Sequence, residues 1–594
     1  MTTAIEATQS GPNESYSTRS LYQRIKSRHF DYESRRDLYD DQRDVIVELL
    51  RPDLVSGRVG QKEAGDFSGS QIVEGSGPHA LRIWQRGFQV NMISRKVDWF
   101  REQVKDPPGW TGVKFKGNDQ VNQWCQDVAD HISGRYRRSN YYDVMSQFLL
   151  DGGSVGSPVM LFEQDVAGDR MVCKVPDYAA VWLDKDIFGT DNAMHVLWEW
   201  TALEAESFFG YDQLPEAIKQ QLRNGQHYAK GKYIQAIYGA GDRIYTDLPG
   251  GSVATRPWME HFICLEAQGE GEEVLLRPLN KGPGYFTRPF SSWHYHRNWH
   301  EVYGRTMAWW AIYDIRGGNA MWEALFGDAE LSVRPATWAM DTLRGMLDMG
   351  PGGDNWARNE QEYSQPPTYI ERKTRYDLAT DFADRLTASS RRHFHYDFFM
   401  AINQIMTMKK QPETAYGLSR VQMENGVQLV EQVEAYEQQV LGHGHDIFLE
   451  AELAAAPAYS GGRLPQPPDI LLEYGDGNVD VEFIGPLSMM QINNRQIERF
   501  YRSMEPADFV FERQPETLHK LKWSQVLEHL LESQNFRQDD IVSEDDYQEI
   551  VAAARQRHMQ QELAEALPKV SQAAKNLQGA TEKGSPLAQL TGSA

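Results

Sequence analysis

Two short histidine runs carry the side chains with the clearest potential for chemistry. In WHYHRNWHE, His294, His296, His300 and Glu301 lie close together. On a strand, His294 and His296 would share one face and could share a metal. GHGHD offers a similar set in His443, His445 and Asp446. A metal-dependent hydrolase built on His294, His296, His300 and Glu301 is therefore one function class to test. Neither run has the spacing of a defined ligand set, and short mixtures of His and aromatics more often serve cores or interfaces. The expectation is no metal and no cofactor. Other chemistry leaves no mark either. No Lys-Ser or Lys-Thr follows a GxxxxG spacing, and YGAGDRI (238–244) lacks the third glycine of a dinucleotide fingerprint and reads as a turn. HExxH and EF-hand patterns are absent. Carboxylates are abundant, but no spacing selects a pair for acid–base work. The chain is not expected to be an enzyme.

The elements that would position these residues come from a chain too long for one hydrophobic core. Its 594 residues suggest two to four modules. A hydrophobic content of 41%, with 16 Trp and 27 Tyr, supplies both cores and wide aromatic interfaces. Three cysteines, Cys125, Cys173 and Cys264, without CxxC spacing, support neither a disulfide framework nor a Cys-based zinc site. MTTAIEATQSGPNES lacks the basic and apolar regions of a signal peptide, and no uncharged apolar stretch is long enough for a membrane span. The net charge of −23 argues against a protein that grips nucleic acid through clustered Lys and Arg. It does not exclude one past which DNA must slide, and many soluble proteins are acidic simply for solubility.

Periodicity predicts helices over about 21–50, 79–100, 118–151, 203–223, 304–331, 378–408 and 419–455, and strand-like alternation over 152–200 and 233–297. Helices and strands come in blocks, which reads as α+β. The 304–331 helix holds Trp309, Trp310, Tyr313, Trp322 and Phe326, a density that implies packing on more than one side. Gly317-Gly318 in its middle marks a kink or a close helix approach. Residues 341–366 form a Gly/Asp/Asn/Pro-rich loop too long for a mere connector.

Four stretches carry a resemblance. They are HALRIWQRGFQVNMISRKVDWF (79–100), ending in Trp99-Phe100, and SNYYDVMSQFLLDGGSVGSPVMLFEQD (139–165). The third, LDKDIFGTDNAMHVLWEWTALEAESFFG (183–210), contains Asp186, Phe188, Gly189 and Phe209-Gly210. The fourth contains Pro289-Phe290, Tyr303-Gly304-Arg305 and Asp314 at the start of the long helix. In PETAYGLSRVQMENGVQLVEQV, a further match, Gly417 stands where an acidic residue is expected. In order and spacing the chain resembles the portal, or head-to-tail connector, proteins of short-tailed bacteriophages.

The resemblance implies a multidomain ring, usually of twelve subunits, with wing, stem, clip and crown around a DNA channel. Carried onto this chain, 1–200 is the arm and wing, 201–231 and 304–331 the two stem helices, and 232–303 the clip. Residues 332–369 hold the tunnel loop, 370–485 the second part of the wing, and 486–594 the crown and tail. Arg344 and Arg358 become candidates for transient phosphate contacts or, equally, for intersubunit salt bridges alone, with Gly350, Gly352 and Gly353 giving the loop its freedom. Trp309, Trp310, Tyr313 and Trp322 become stem-packing residues. Implied partners are double-stranded DNA without sequence preference, the terminase large subunit, and tail adaptor, scaffold and major capsid proteins, with no membrane. The implied location is the virion's portal vertex, after synthesis in the host cytoplasm. A non-portal structural adaptor of the virion is the other reading.

Overall fold

The computed structural model describes residues 18–54, 72–106, 115, 118–165, 168–242, 256–266, 275–278, 284–333, 337–338, 348, 356–357, 359–364, 368–369, 376–407, 429–455, 463–474, 479–489, 527 and 547–561. They fall into two compact units, one made of 1–100, 130–464 and 483–498, the other of 101–129, 465–482 and 499–594.

In chain order the elements begin with helices α1 (Thr18–Leu50) and α2 (Ser76–Met92), strand β1 (Phe100–Gln103), and helices α3 (Asp119–Arg138) and α4 (Tyr141–Gly153). Strands β2 (Val159–Asp165), β3 (Arg170–Lys174), β4 (Val181–Lys185) and β5 (Asp191–Thr201) follow, then helices α5 (Ala202–Phe209) and α6 (Glu216–Arg223). Strands β6 (Lys230–Gly239), β7 (Trp258–Cys264), β8 (Leu275–Leu276), β9 (Gly284–Tyr285) and β10 (Phe290–Ser292) lead into the long helix α7 (Met307–Val333). Beyond it lie β11 (Thr337–Trp338), α8 (Glu360–Ser364), β12 (Thr368–Tyr369), α9 (Tyr376–His393) and α10 (Tyr396–Thr407). A helical run over Val430–Ala455, a short helix Asp469–Tyr474 and β13 (Asp480–Phe483) complete the series.

The first unit is organised by an antiparallel sheet in the order β4-β5-β6-β7-β8, with β9 also on β7. Alternation along β5 and β6 sends side chains to opposite faces. Ala193, Leu197, Ile234, Ala236 and Tyr238 meet Tyr22, Ile25 and Tyr32 of α1. Met194, Val196 and Ile237 meet Val159, Leu161 and Phe290 from the three-stranded sheet β10-β2-β3, together with Tyr303.

Between β5 and β6 the expectation of one stem helix over 201–231 is corrected. Thr201 and Glu204 form a reciprocal capping box that starts α5, and Gly210 at φ +82° ends it. Pro215 then begins α6. Both helices bury Ala205, Phe209, Ile218 and Leu222 against Tyr233 and Phe262 of the sheet. The boundary drawn there between wing and clip also divides strands that pair residue for residue, Trp198 with Tyr233 and Met194 with Ile237.

The 304–331 expectation agrees closely with α7. Gly317-Gly318 does not interrupt the helix; it marks a close approach, since a Cβ on Gly317 would lie 3.4 Å from Leu386 of α9. Contacts descend along α9 as they ascend along α7. Asp314 meets Ser389 and His393, and Ser332 meets Tyr376, so the two helices are antiparallel. The same register continues into the pair β11–β12, where Thr337 opposes Tyr369 and Trp338 opposes Thr368. α7 with β11 and β12 with α9 are thus the two arms of one long hairpin.

The second unit has its own apolar cluster of Val104, Phe115, Val121 and Cys125 with Ile470, Leu471 and Val479. Trp124 donates to the Pro465 carbonyl, and Arg101–Glu482 and Lys105–Asp480 ion pairs flank the β1–β13 pairing. Residues 465–482, expected in the wing, belong here.

Candidate functional site

The long helix needs a fixed base, and the residues just before it build one. α4 ends in a glycine pair that lets aromatics approach its backbone. A Cβ on Gly152 would lie 2.6 Å from the Trp293 ring, and one on Gly153 would lie 2.5 Å from the Trp84 ring. Any larger residue must displace a buried indole. The chain then turns through Gly156 at φ +84° and Ser157 at φ +52°. Ser157 Oγ accepts from the Gly304 amide at 2.7 Å and is hydrogen-bonded to His294 Nδ1 at 2.9 Å. The other ring nitrogen of His294, Nε2, lies 2.8 Å from Asp191 Oδ2.

Asp191 sits at the centre. Arg297 Nη1 donates to Oδ1 at 2.8 Å, and Ser292 Oγ donates to Oδ2 beside His294. Burial alone would raise its pKa. The imidazole of His294 and the guanidinium of Arg297 win, and hold the carboxyl well below its usual range.

Around this knot, Tyr303 Oη accepts from the Leu183 amide while Arg43, fully buried, stacks on its ring and donates to the Val155 carbonyl. Thr306 Oγ1 donates to the Ser154 carbonyl at 2.6 Å, and His296 bridges Arg305. From the C-terminal helical run, Gln439 accepts the His294 amide. Gln439 lies in a π-helical segment, Glu437–Gly442, whose wider turn re-aims side chains.

Serine, histidine and aspartate in hydrogen-bonded series are the ingredients of a nucleophilic triad. Here Ser157, His294 and Asp191 are 7%, 5% and 5% exposed, and Ser157 Oγ is already taken by the Gly304 amide. A nucleophile needs a reacting carbon about 3 Å from its oxygen, and this one is enclosed. The arrangement can hold the helix base; it has no opening for a substrate.

The ligand set of the alternative hydrolase reading, His294, His296, His300 and Glu301, is not assembled among the described residues. His294 belongs to the knot, Glu301 binds Arg305 at 2.6 Å and Asn298 at 3.0 Å, and His300 is exposed. His443 meets the Arg288 carbonyl, His445 packs on Phe100, and Asp446 is exposed. Among the described residues no group of three or more His, Cys, Asp or Glu converges on a metal position. Of the aromatics assigned to stem packing, Trp309 is buried beside Arg305 and Trp322 is half-buried near Phe326. Trp310 and Tyr313 are 46% and 75% exposed. Arg344, Gly350, Gly352, Gly353 and Arg358 lie outside the described residues. Sequence reasoning missed Asp191, Ser157, Arg297 and Arg43 as the centre of the base. No spacing links them, because they come from four separate elements.

The family described as bacteriophage head to tail connecting protein matches residues 22–542. The chain belongs to that family. Several positions that carried the sequence resemblance are the connector's helix anchors: Phe290 in the core behind the knot, Tyr303 and Gly304 within it, and Asp314 of α7, which ties it to α9. The connector is a structural protein of the virion, with a portal-type role at the capsid. A search among curated proteins finds no match. Among the described residues, no helix is long and apolar enough to cross a membrane.

Proposed function

We propose that the protein assembles as a ring of twelve copies at one capsid vertex, through which the genome is packaged and ejected. The family match across residues 22–542 carries this reading. The long hairpin supports it, and suggests different stem boundaries. The antiparallel helices α7 and α9 are the better stem pair, with 334–375 between them as the clip that docks the terminase large subunit. The loop expected to line the tunnel, 341–366, falls within that stretch of the sequence. Tail adaptor, scaffold and major capsid proteins are the remaining partners, and duplex DNA is cargo that the acidic chain does not grip. Both hairpin helices leave apolar side chains uncovered: Tyr313 and Phe326 on α7, Leu378 and Phe382 on α9. A heterologous ring covers such faces with the neighbouring copy.

Mass measurement on the purified protein should show a species near twelve times 68.0 kDa. A monomer under all conditions, with no ring in electron micrographs, refutes the reading. Deleting 345–357 should leave the ring intact and reduce the DNA packaged per particle. Unchanged packaging removes this segment from any role in DNA passage or motor docking.

A further inference from the structure

Beside the base of the helix hairpin lies a hollow of about 430 Å³. It is lined by Trp310 and Met307 from the start of α7, Arg392 and His393 from the end of α9, His395 from the turn after it, and His296. The size is that of a pocket for a few side chains. Its donors are unevenly used. His393 is held by Asp314 at 3.2 Å. Among the described residues, no hydrogen bond or ion pair engages the Arg392 guanidinium or the rings of His296 and His395. His395 also sits at φ +50°, a conformation that costs a non-glycine residue energy and recurs where structure serves binding. Glu431 is the single carboxylate in the lining, and it is exposed. Trp310, 46% exposed, has its ring 6.1 Å from that of His296.

We propose that this hollow receives an acidic peptide segment, with a carboxylate meeting Arg392, His296 and His395 while its aliphatic stem lies on Trp310 and Met307. Guanidinium and imidazole donors without partners are complementary to a carboxylate, and an indole with a thioether suits the methylenes that precede it. A duplex presents phosphates on a rigid convex backbone that a hollow of this size does not admit, whereas a side chain enters. A second copy of this chain, rich in Asp and Glu, and another acidic virion protein offer the same chemistry.

Calorimetric titration of the full-length protein with hexaglutamate, hexalysine and a duplex oligonucleotide tests the site. Hexaglutamate should bind saturably and hexalysine should not. The pair Arg392→Gln and His395→Asn should weaken hexaglutamate at least about tenfold, the loss expected for charge-assisted hydrogen bonds. Asn is chosen because it tolerates the left-handed backbone. Arg392→Lys, which keeps the charge, should retain most of the affinity, and unchanged circular dichroism confirms folding. Arg385→Gln, on the same helix but paired with Asp381, should change nothing. No hexaglutamate binding, binding indifferent to the Arg392/His395 pair, or duplex binding lost in that pair in place of peptide binding overturns the proposal. Weaker self-association of the pair variant would name a second copy as the source, and wild-type self-association would name another virion protein.

Discussion

Asp191→Ala should destabilise the first unit by about 3–5 kcal/mol, the cost of removing one partner from a buried ion pair. The size follows from what is left behind. His294, Arg297 and Ser292 all direct donors at the missing carboxylate; Arg297 keeps the Gly189 and Val302 carbonyls, while buried His294 and Ser292 lose their acceptor. The loss propagates because His294 also holds Ser157, which holds the Gly304 amide at the start of α7. Hydrogen exchange should therefore rise first at the amides of 293–310, and proteolysis should cut there before it cuts the sheet. The pH dependence gives an independent check. A carboxyl whose folded pKa is depressed contributes its stability above the ordinary carboxylate range, and that contribution fades as pH falls through the folded value. The penalty of Asp191→Ala should thus be unchanged by titration of Asp191 between pH 5 and 8, and shrink only in stronger acid. A variant within about 0.5 kcal/mol of wild type, with unaltered exchange at 293–310, would show that the knot does not anchor the helix.

The helices with strong apolar periodicity were legible in the sequence. The 304–331 expectation became α7 within a few residues at each end, because Trp309, Ile312 and Ile315 recur at helical spacing on its buried side. The glycine pair allowed two readings, and Leu386 of the opposing helix decides between them. The single helix expected over 201–231 is two short ones for a physical reason. α5 and α6 are each amphipathic, but the break at Gly210 depends on a left-handed backbone angle and the burial depends on a sheet formed by distant strands. The hairpin of α7 and α9 was invisible, since its register rests on pairs such as Asp314 with Ser389, separated by 75 positions. The knot was half legible. His294 drew attention as a metal ligand because residue type shows that it can bind something; Asp191 and Ser157, which it does bind, arrive from β5 and from the turn before β2. Residue type identifies donors and acceptors, and only the fold says which ones meet.

Acid should weaken this protein well before its carboxylates protonate. His29, His195 and His261 are buried in the sheet region at 3%, 0% and 3% exposure. Burial, with Arg36 beside His29 and Arg277 beside His261, pushes both down to about 4. Burial, with His29 and Arg28 nearby, holds His195 well below its ordinary value. His29 and His195 stack with centroids 5.7 Å apart, so charging either would charge the neighbourhood of the other. A histidine kept neutral in the fold but free to protonate when unfolded gives stability that is complete above its unfolded pKa near 6.5 and is lost as pH falls below that. Each such group costs up to about 1.4 kcal/mol per pH unit over that window, so the three together remove several kcal/mol on going from pH 7 to pH 5. Asp151 works in the opposite sense. Burial raises it to about 6 despite Arg51, so its protonation on acidification offsets roughly one of the three. The net expectation is a steep fall in the protection factors of the β5 and β6 amides, taken relative to intrinsic exchange at each pH, between pH 6.5 and 5. Replacing His29 and His195 together by Leu, which cannot protonate, should flatten that fall while lowering protection at pH 7 only modestly. Equal protection at pH 7 and pH 5 in the wild-type chain would mean that these rings are not held neutral by the fold.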